Sequence, residues 1–209
     1  MGNRAVITTE DKHLGIYLHW NGGRDSVEGF LGYCKLKGYR PPETDNYGWA
    51  RLAQVCANFF DDGLSIGIDT YDRLGDGEDN GVYIIKNWEI VGREFFEGEE
   101  QMEYDRTEFM VELDACQPKD QQLGADYIKA EEVPYTDLKI GDTVYMMNSH
   151  GTPIKCEVIG FGKDEYCNGT NVKGLPYVDL YNKGGDPSKN PNNYFGEWYG
   201  RTTARVVAE

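Results

Sequence analysis

The chain has 209 residues, of which 36 are acidic and 21 basic, for a formal charge of −15. That balance excludes a protein that coats nucleic acid or an anionic membrane through bulk charge. An aromatic content of 13%, with 15 Tyr, excludes a disordered acidic polymer.

In chain order, residues 4–9 (RAVITT) and 14–20 (LGIYLHW) read as strands, rich in β-branched and aromatic residues and separated by the polar turn EDKH. Asn21-Gly22-Gly23 breaks the second strand, and Asp25 or Ser26 is placed to cap a helix running to about Lys37, with Val27, Phe30, Leu31 and Cys34 as its apolar stripe. Gly38 and Pro41-Pro42 end it. A second helix is predicted over 47–60, with Trp49, Leu52, Ala53, Cys56 and Phe60 on one face and Asp61-Asp62-Gly63 as its stop. Residues 64–70 and 81–88 read as strands, the second extended by 89–96, which makes a β-β-α-α-β-β unit. Residues 98–116 read as a third, acidic helix striped by Met102, Phe109, Met110, Leu113 and Cys116. Residues 117–135, with Pro118, Gly124 and Pro134, read as a linker between an acidic α+β domain (1–116) and a β-rich domain (136–209). In that tail, short β-rich runs at 143–148, 154–161, 175–181, 194–199 and 202–207 are separated by turn signals at 149–151 and 183–185, a pattern expected of a small barrel.

Leu138-Lys139-Ile140-Gly141-Asp142-Thr143-Val144-Tyr145 resembles the first turn and strand of SH3-like barrels, and the expected fold class is therefore α+β with a small C-terminal SH3-like β-barrel. Tyr177, Tyr181, Tyr194, Trp198 and Tyr199 are aromatic candidates for a peptide groove or for barrel packing.

Five cysteines (Cys34, Cys56, Cys116, Cys156, Cys167) contain no C-x-x-C pair, and His13, His19 and His150 lie far apart. Neither a metal site nor a Cys–His catalytic pair is expected, and no cofactor. Asp76-Gly77-Glu78-Asp79-Asn80-Gly81 echoes a calcium loop, but the twelfth position is Asn87 rather than a bidentate Glu, so an acidic hairpin connection is the plainer reading.

Trp20-Asn21-Gly22-Gly23-Arg24-Asp25-Ser26 resembles the Ser-Gly-Gly-x-Asp-Ser loop of PP-loop ATP pyrophosphatases, with Asn21 in place of the first Ser. Such a turn ahead of a helix can cradle a phosphate, making Asn21, Gly22, Gly23, Arg24, Asp25 and Ser26 the candidate anion site, with Trp20 available for stacking. The structural alternative is a strand-to-helix turn with Asp25 and Glu28 as a capping box.

Charge is the strongest signal. Residues 1–135 hold 27 acidic and 13 basic side chains, and nine acidic residues lie from Glu94 to Asp114 against Arg106 alone. Either this run is a solvated helix face, or Glu97, Glu99, Glu100, Glu103, Asp105, Glu108 and Glu112 occupy a basic groove on a partner as a phosphate row would.

The opening NRAVITT, IYLHWNGGRDSVEGF and YGWARLAQ, within residues 3–92, resembles a family of small uncharacterised proteins carried by phages and mobile elements of gut Firmicutes. The resemblance implies a mobile-element context, in which small acidic proteins are often inhibitors of host defence, anti-CRISPR proteins included. The expected function is a non-enzymatic interaction protein that inhibits a basic, nucleic-acid-handling host protein, with no direct nucleic-acid or membrane binding. Without a membrane span or an apolar signal segment, a cytoplasmic location is expected. The rival readings are a nucleotide or second-messenger sponge using the glycine turn and a hydrolase built from dispersed carboxylates. The sequence sets no oligomeric state.

Overall fold

A computed structural model describes residues 2–60, 65–134, 137–147, 151–163, 176–182, 194–196 and 203–207. Several expected features lie outside these residues: the stop at 61–63, most of the turns at 149–151 and 183–185, Cys167, His150, Trp198 and Tyr199. The side chains of Tyr177, Tyr181 and Tyr194 also lie outside what is described. The protein is mixed α+β and divides into two compact units, 1–122 and 123–209.

The first unit orders β1 (Ala5–Thr9), β2 (Leu14–Leu18), α1 (Arg24–Leu36), α2 (Asn46–Phe60), β3 (Ile66–Thr70), β4 (Val82–Lys86), β5 (Glu89–Glu94) and α3 (Arg106–Ala115). Its sheet has the order β3-β2-β1-β4-β5, with β1 and β4 parallel and every other pair antiparallel. Central β1 is buried along its whole length, because both faces of the sheet are covered. Successive residues point to opposite faces. Val6 joins Val82 and Ile84 in one apolar cluster, closed by Tyr17, Tyr71 and Leu74. Ile7, paired with Ile16 and Tyr83, faces the other way, toward α1. There Tyr83 Oη donates to the Gly22 carbonyl at 3.0 Å.

The apolar stripe expected for α1 is its buried face: Val27, Phe30, Leu31 and Cys34 are at most 1% exposed. Helix α3 packs closely on α1. A Cβ added at Gly29 would stand 2.1 Å from Phe109 Cδ1, so only glycine admits that ring. Phe109 then packs edge-on against Phe30 and tilted against Phe59, with centroids at 5.4 and 5.3 Å.

Two expectations in this unit are corrected. Residues 89–96 do not extend β4. The chain reverses at Asn87 and Trp88, both left-handed (φ 51° and 64°), and returns as the separate antiparallel strand β5. Burial of the Trp88 ring and its Nε1–H bond to the Tyr39 carbonyl (2.8 Å) hold that turn. The third helix does not span 98–116 but begins at Arg106, where the Asp105 carboxylate accepts from the Glu108 N–H (2.9 Å) as its N-cap. Upstream, like charges at Glu99 and Glu103 would stack at helical spacing, which destabilises a helix, and Glu100 is drawn elsewhere. The acidic run is therefore a non-helical strap, 95–105, followed by a short helix.

The second unit begins with α4 (Ala125–Lys129) and continues through β6 (Glu131–Pro134), β7 (Thr143–Met147), β8 (Pro153–Lys163), β9 (Pro176–Asn182), β10 (Tyr194–Gly196) and β11 (Thr203–Val206). The segment expected as a linker thus carries structure on both sides of the division. Gln117 is buried and bonded to the Val55 and Leu113 carbonyls, while α4 and β6 belong to the second unit. Pro118 and Gly124 are turn signals within the fold rather than marks of a free tether.

The second sheet is antiparallel in the order β10-β9-β8-β7-β11-β6. Its core gathers Leu138, Val144, Met146, Cys156, Val158 and Ala204. The Gly-Asp turn forms as a tight reversal: Asp142 Oδ2 accepts from the Lys139 N–H (2.7 Å), and Gly141 is left-handed at φ 98°. Among the described residues no pairing joins β10 to β6, so the expected closed barrel is not found.

Candidate interaction surface

Two arginines organise the acidic strap. Arg93, on β5, points to the helix side of the sheet, and its side chain is 8% exposed. Its Nε donates to the Asn80 carbonyl (2.9 Å), its guanidinium lies 3.5 Å from the Phe96 ring centroid and 4.3 Å from that of Tyr83, and Nη1 meets Glu100 Oε2 at 2.6 Å. Arg24, in the first turn of α1, binds the same Glu100 oxygen at 3.2 Å and Glu28 at 2.8 Å. Glu28 also accepts from the Tyr104 hydroxyl and stands 3.9 Å from Arg106 Nη1. Burial pushes the Tyr104 phenol up to about 12, and the bond to the Glu28 carboxylate adds to the shift. The open pocket lined by Glu28, Tyr104, Asp105, Arg106 and Thr107 is therefore already an internally paired mixture of charges.

This network sorts the seven expected partner-binding acids. Glu100 is structural, tying the strap to α1 and β5, and Asp105 caps α3. Glu97, Glu99, Glu103, Glu108 and Glu112 are exposed. Among the described residues Glu97, Glu99, Glu103 and Glu112 enter no salt bridge, so their charge faces solvent uncompensated. Sequence spacing could not separate Glu100, whose partners Arg24 and Arg93 lie elsewhere in the chain, whereas Asp105 stands three residues before Glu108, a spacing that marks an N-cap.

The glycine turn is filled from within the chain. Gly22 N–H donates to the Asn3 carbonyl at 2.7 Å, and a Cβ there would lie 2.6 Å from that oxygen. The N-cap of α1 is Gly23, without a side-chain cap, so the capping box of Asp25 and Glu28 does not form. Instead Asp25 Oδ1 accepts from the Ser26 N–H (2.7 Å) and Oγ (3.3 Å), putting the chain's own carboxylate at the helix start. Asn21 is left-handed (φ 53°), its amide 3.4 Å from Ser26 Oγ, and Arg24 is held by two carboxylates. Trp20 is 44% exposed, with His19 edge-on at 5.0 Å.

The calcium-like segment is likewise used internally. Arg4 Nε pairs with Asp79 at 3.0 Å and its Nη1 with Glu78. No group of three or more His, Cys, Asp or Glu among the described residues is arranged to hold a metal ion, and none of the helices described is long and apolar enough to cross a membrane. Burial pushes the Cys34 and Cys56 thiols up, well away from reactive thiolates.

Comparison with known proteins yields no match: no family model fits the chain, and no curated protein or solved structure aligns significantly with it.

Proposed function

We propose that this is a non-enzymatic interaction protein that binds a basic protein partner through the acidic strap and the exposed face of α3. The observation that carries the reading is that Glu97, Glu99 and Glu103 are exposed and unpaired on a strap tied down by the Arg93–Glu100–Arg24 bridge, with Glu112 exposed and unpaired on the adjoining α3. Held carboxylates lose less conformational entropy on binding than a mobile acidic tail would. Exposed carboxylates distributed over the strap and α3 suit a basic protein patch.

The likeness of residues 3–92 to phage and mobile-element proteins supports placing the partner in a host cell's nucleic-acid-handling defence, an anti-defence role of which anti-CRISPR activity is one form. The expected cytoplasmic location belongs to the same reading. For the second unit we infer an SH3-like sheet, on the strength of the Lys139–Asp142 reversal leading into β7. Pull-down from host lysate with a salt titration of the captured partner tests the reading. Charge-driven binding weakens steeply as salt rises, and salt-insensitive capture would contradict it.

A further inference from the structure

We propose that Phe95 is the apolar anchor of this acidic surface, inserting its ring into a pocket on the basic partner while Glu97 and Glu99 engage the pocket's cationic rim. The inference rests on the acidic-surface reading above and adds to it a single residue on which binding turns.

Three features of residues 93–100 carry it. The segment is a closed loop, its ends joined by Arg93 Nη1 and Glu100 Oε2 at 2.6 Å. It is filled by one of its two adjacent phenylalanines: the Phe96 ring lies against the Arg93 guanidinium, and its tip reaches within 2.6 Å of where a Gly98 Cβ would stand. The other phenylalanine is turned outward. Phe95 has φ 57° and is 62% exposed, although a bulky aromatic residue disfavours the left-handed region. Its backbone is seated on Gly81, whose added Cβ would lie 2.9 Å from the Phe95 carbonyl carbon and oxygen.

A chain whose only need was to reverse here would gain from Gly or Asn at this position. Phe in this conformation costs backbone energy and exposes a ring to water, and the folded protein recovers neither cost. Both are recovered on a partner that buries the ring, since rigid aromatic anchors ringed by polar contacts carry much of the energy of protein interfaces. Charge complementarity selects the occupant: Glu97 and Glu99 follow Phe95 in an exposed run and enter no described salt bridge, while the nearby cations Arg93, Arg24 and Lys12 are already paired with Glu100, Glu28 and Glu94. The fitting surface is therefore a protein patch of Lys and Arg around an apolar pocket of phenyl size. A nucleic acid is repelled by the same carboxylates.

The test measures the affinity of the full chain for two defined probes, poly-lysine and an amphipathic Lys/Leu peptide of equal charge, by calorimetry at low salt. Wild type is expected to prefer the amphipathic peptide by about tenfold or more, the scale of one aromatic anchor. Phe95→Asn keeps a residue tolerant of positive φ, so its melting temperature should equal or exceed wild type. It should lose the preference while binding poly-lysine as before. Glu97→Lys with Glu99→Lys should weaken both probes. Absence of a preference in wild type, or its survival in Phe95→Asn, overturns the anchor. Unchanged poly-lysine binding in the double Lys variant overturns the acidic-surface reading instead.

Discussion

Arg93 and Glu100, seven residues apart, close the strap with a 2.6 Å ion pair beneath which the Phe96 ring is stacked. Because Arg93 is buried against Tyr83 and Phe96, its charge is compensated by Glu100 and by the Asn80 carbonyl rather than by water. Arg93→Ala removes these contacts together and is expected to cost about 1.5–3 kcal/mol, the range for hydrogen bonds to charged groups. Amide exchange of residues 95–105 should accelerate while that of β1 stays slow. Unchanged exchange in the strap would show that Arg93 does not hold it.

A second buried bond joins α1 to α3. Tyr33 Oη donates to Asp114 Oδ1 at 2.6 Å, and both residues are at most 5% exposed. Burial and the adjacent carboxylate both push the Tyr33 phenol well up, so it stays a donor throughout the accessible pH range. Tyr33→Phe keeps the ring and removes the donor. Urea unfolding should show a loss of about 1–3 kcal/mol, and a loss near zero would mean water replaces the hydroxyl.

Two glycines of α1 should respond differently to alanine. Gly29→Ala drives a methyl into the Phe109 ring and should destabilise by about 1–3 kcal/mol, as overpacking does. At Gly32 the nearest atom is the flexible Met110 sulfur at 3.2 Å, so the helix-propensity gain of about 1 kcal/mol offsets most of the strain. Melting temperatures of the two variants check this; equal losses would mean that α3 does not pack as described.

Acid should loosen the first unit at specific carboxylates. The Arg4 side chain holds Asp79 below its ordinary value, Thr9 does so for Asp11, and Lys35 lowers Glu89. A depressed folded-state value contributes stability that is present above the unfolded value and lost as pH falls through the folded one. The window therefore opens below about pH 4, the ordinary carboxylate range. Asp79→Asn should melt below wild type at neutral pH and converge with it at pH values near 2. A gap that stays constant with pH would exclude Asp79 from the acid response.

Much of the first unit was legible in local pattern. The stripe Val27–Phe30–Leu31–Cys34 has the spacing of a helix, and the short run Ala5–Thr9 is rich in the β-branched residues that favour a strand. What escaped depended on distant partners. Asn87 and Trp88 form a left-handed turn held by burial of the Trp88 ring and its bond to the Tyr39 carbonyl, a relation no local window contains. Periodicity at Met102 and Phe109 extends the acidic helix too far because it contains no trace of Arg24 and Arg93, which draw Glu100 away from a helical path. Glu100 is set apart from the unpaired acids by the same two arginines. The positive φ of Phe95 has no sequence signature at all.

The exposed carboxylates, and not the acid content at large, are expected to make the binding surface. Glu97, Glu99, Glu103 and Glu112 should be reversed to Lys together, leaving Glu100 and Asp105 intact, and the affinity for the partner captured from host lysate measured across a salt series. Circular dichroism should remain native, because none of the four enters a described ion pair. At about 0.2–1 kcal/mol per exposed charge, with attraction replaced by repulsion at each site, the loss should reach several kcal/mol at low salt and shrink as salt rises. A folded quadruple variant that binds at wild-type affinity, with the same salt dependence, would contradict the central claim.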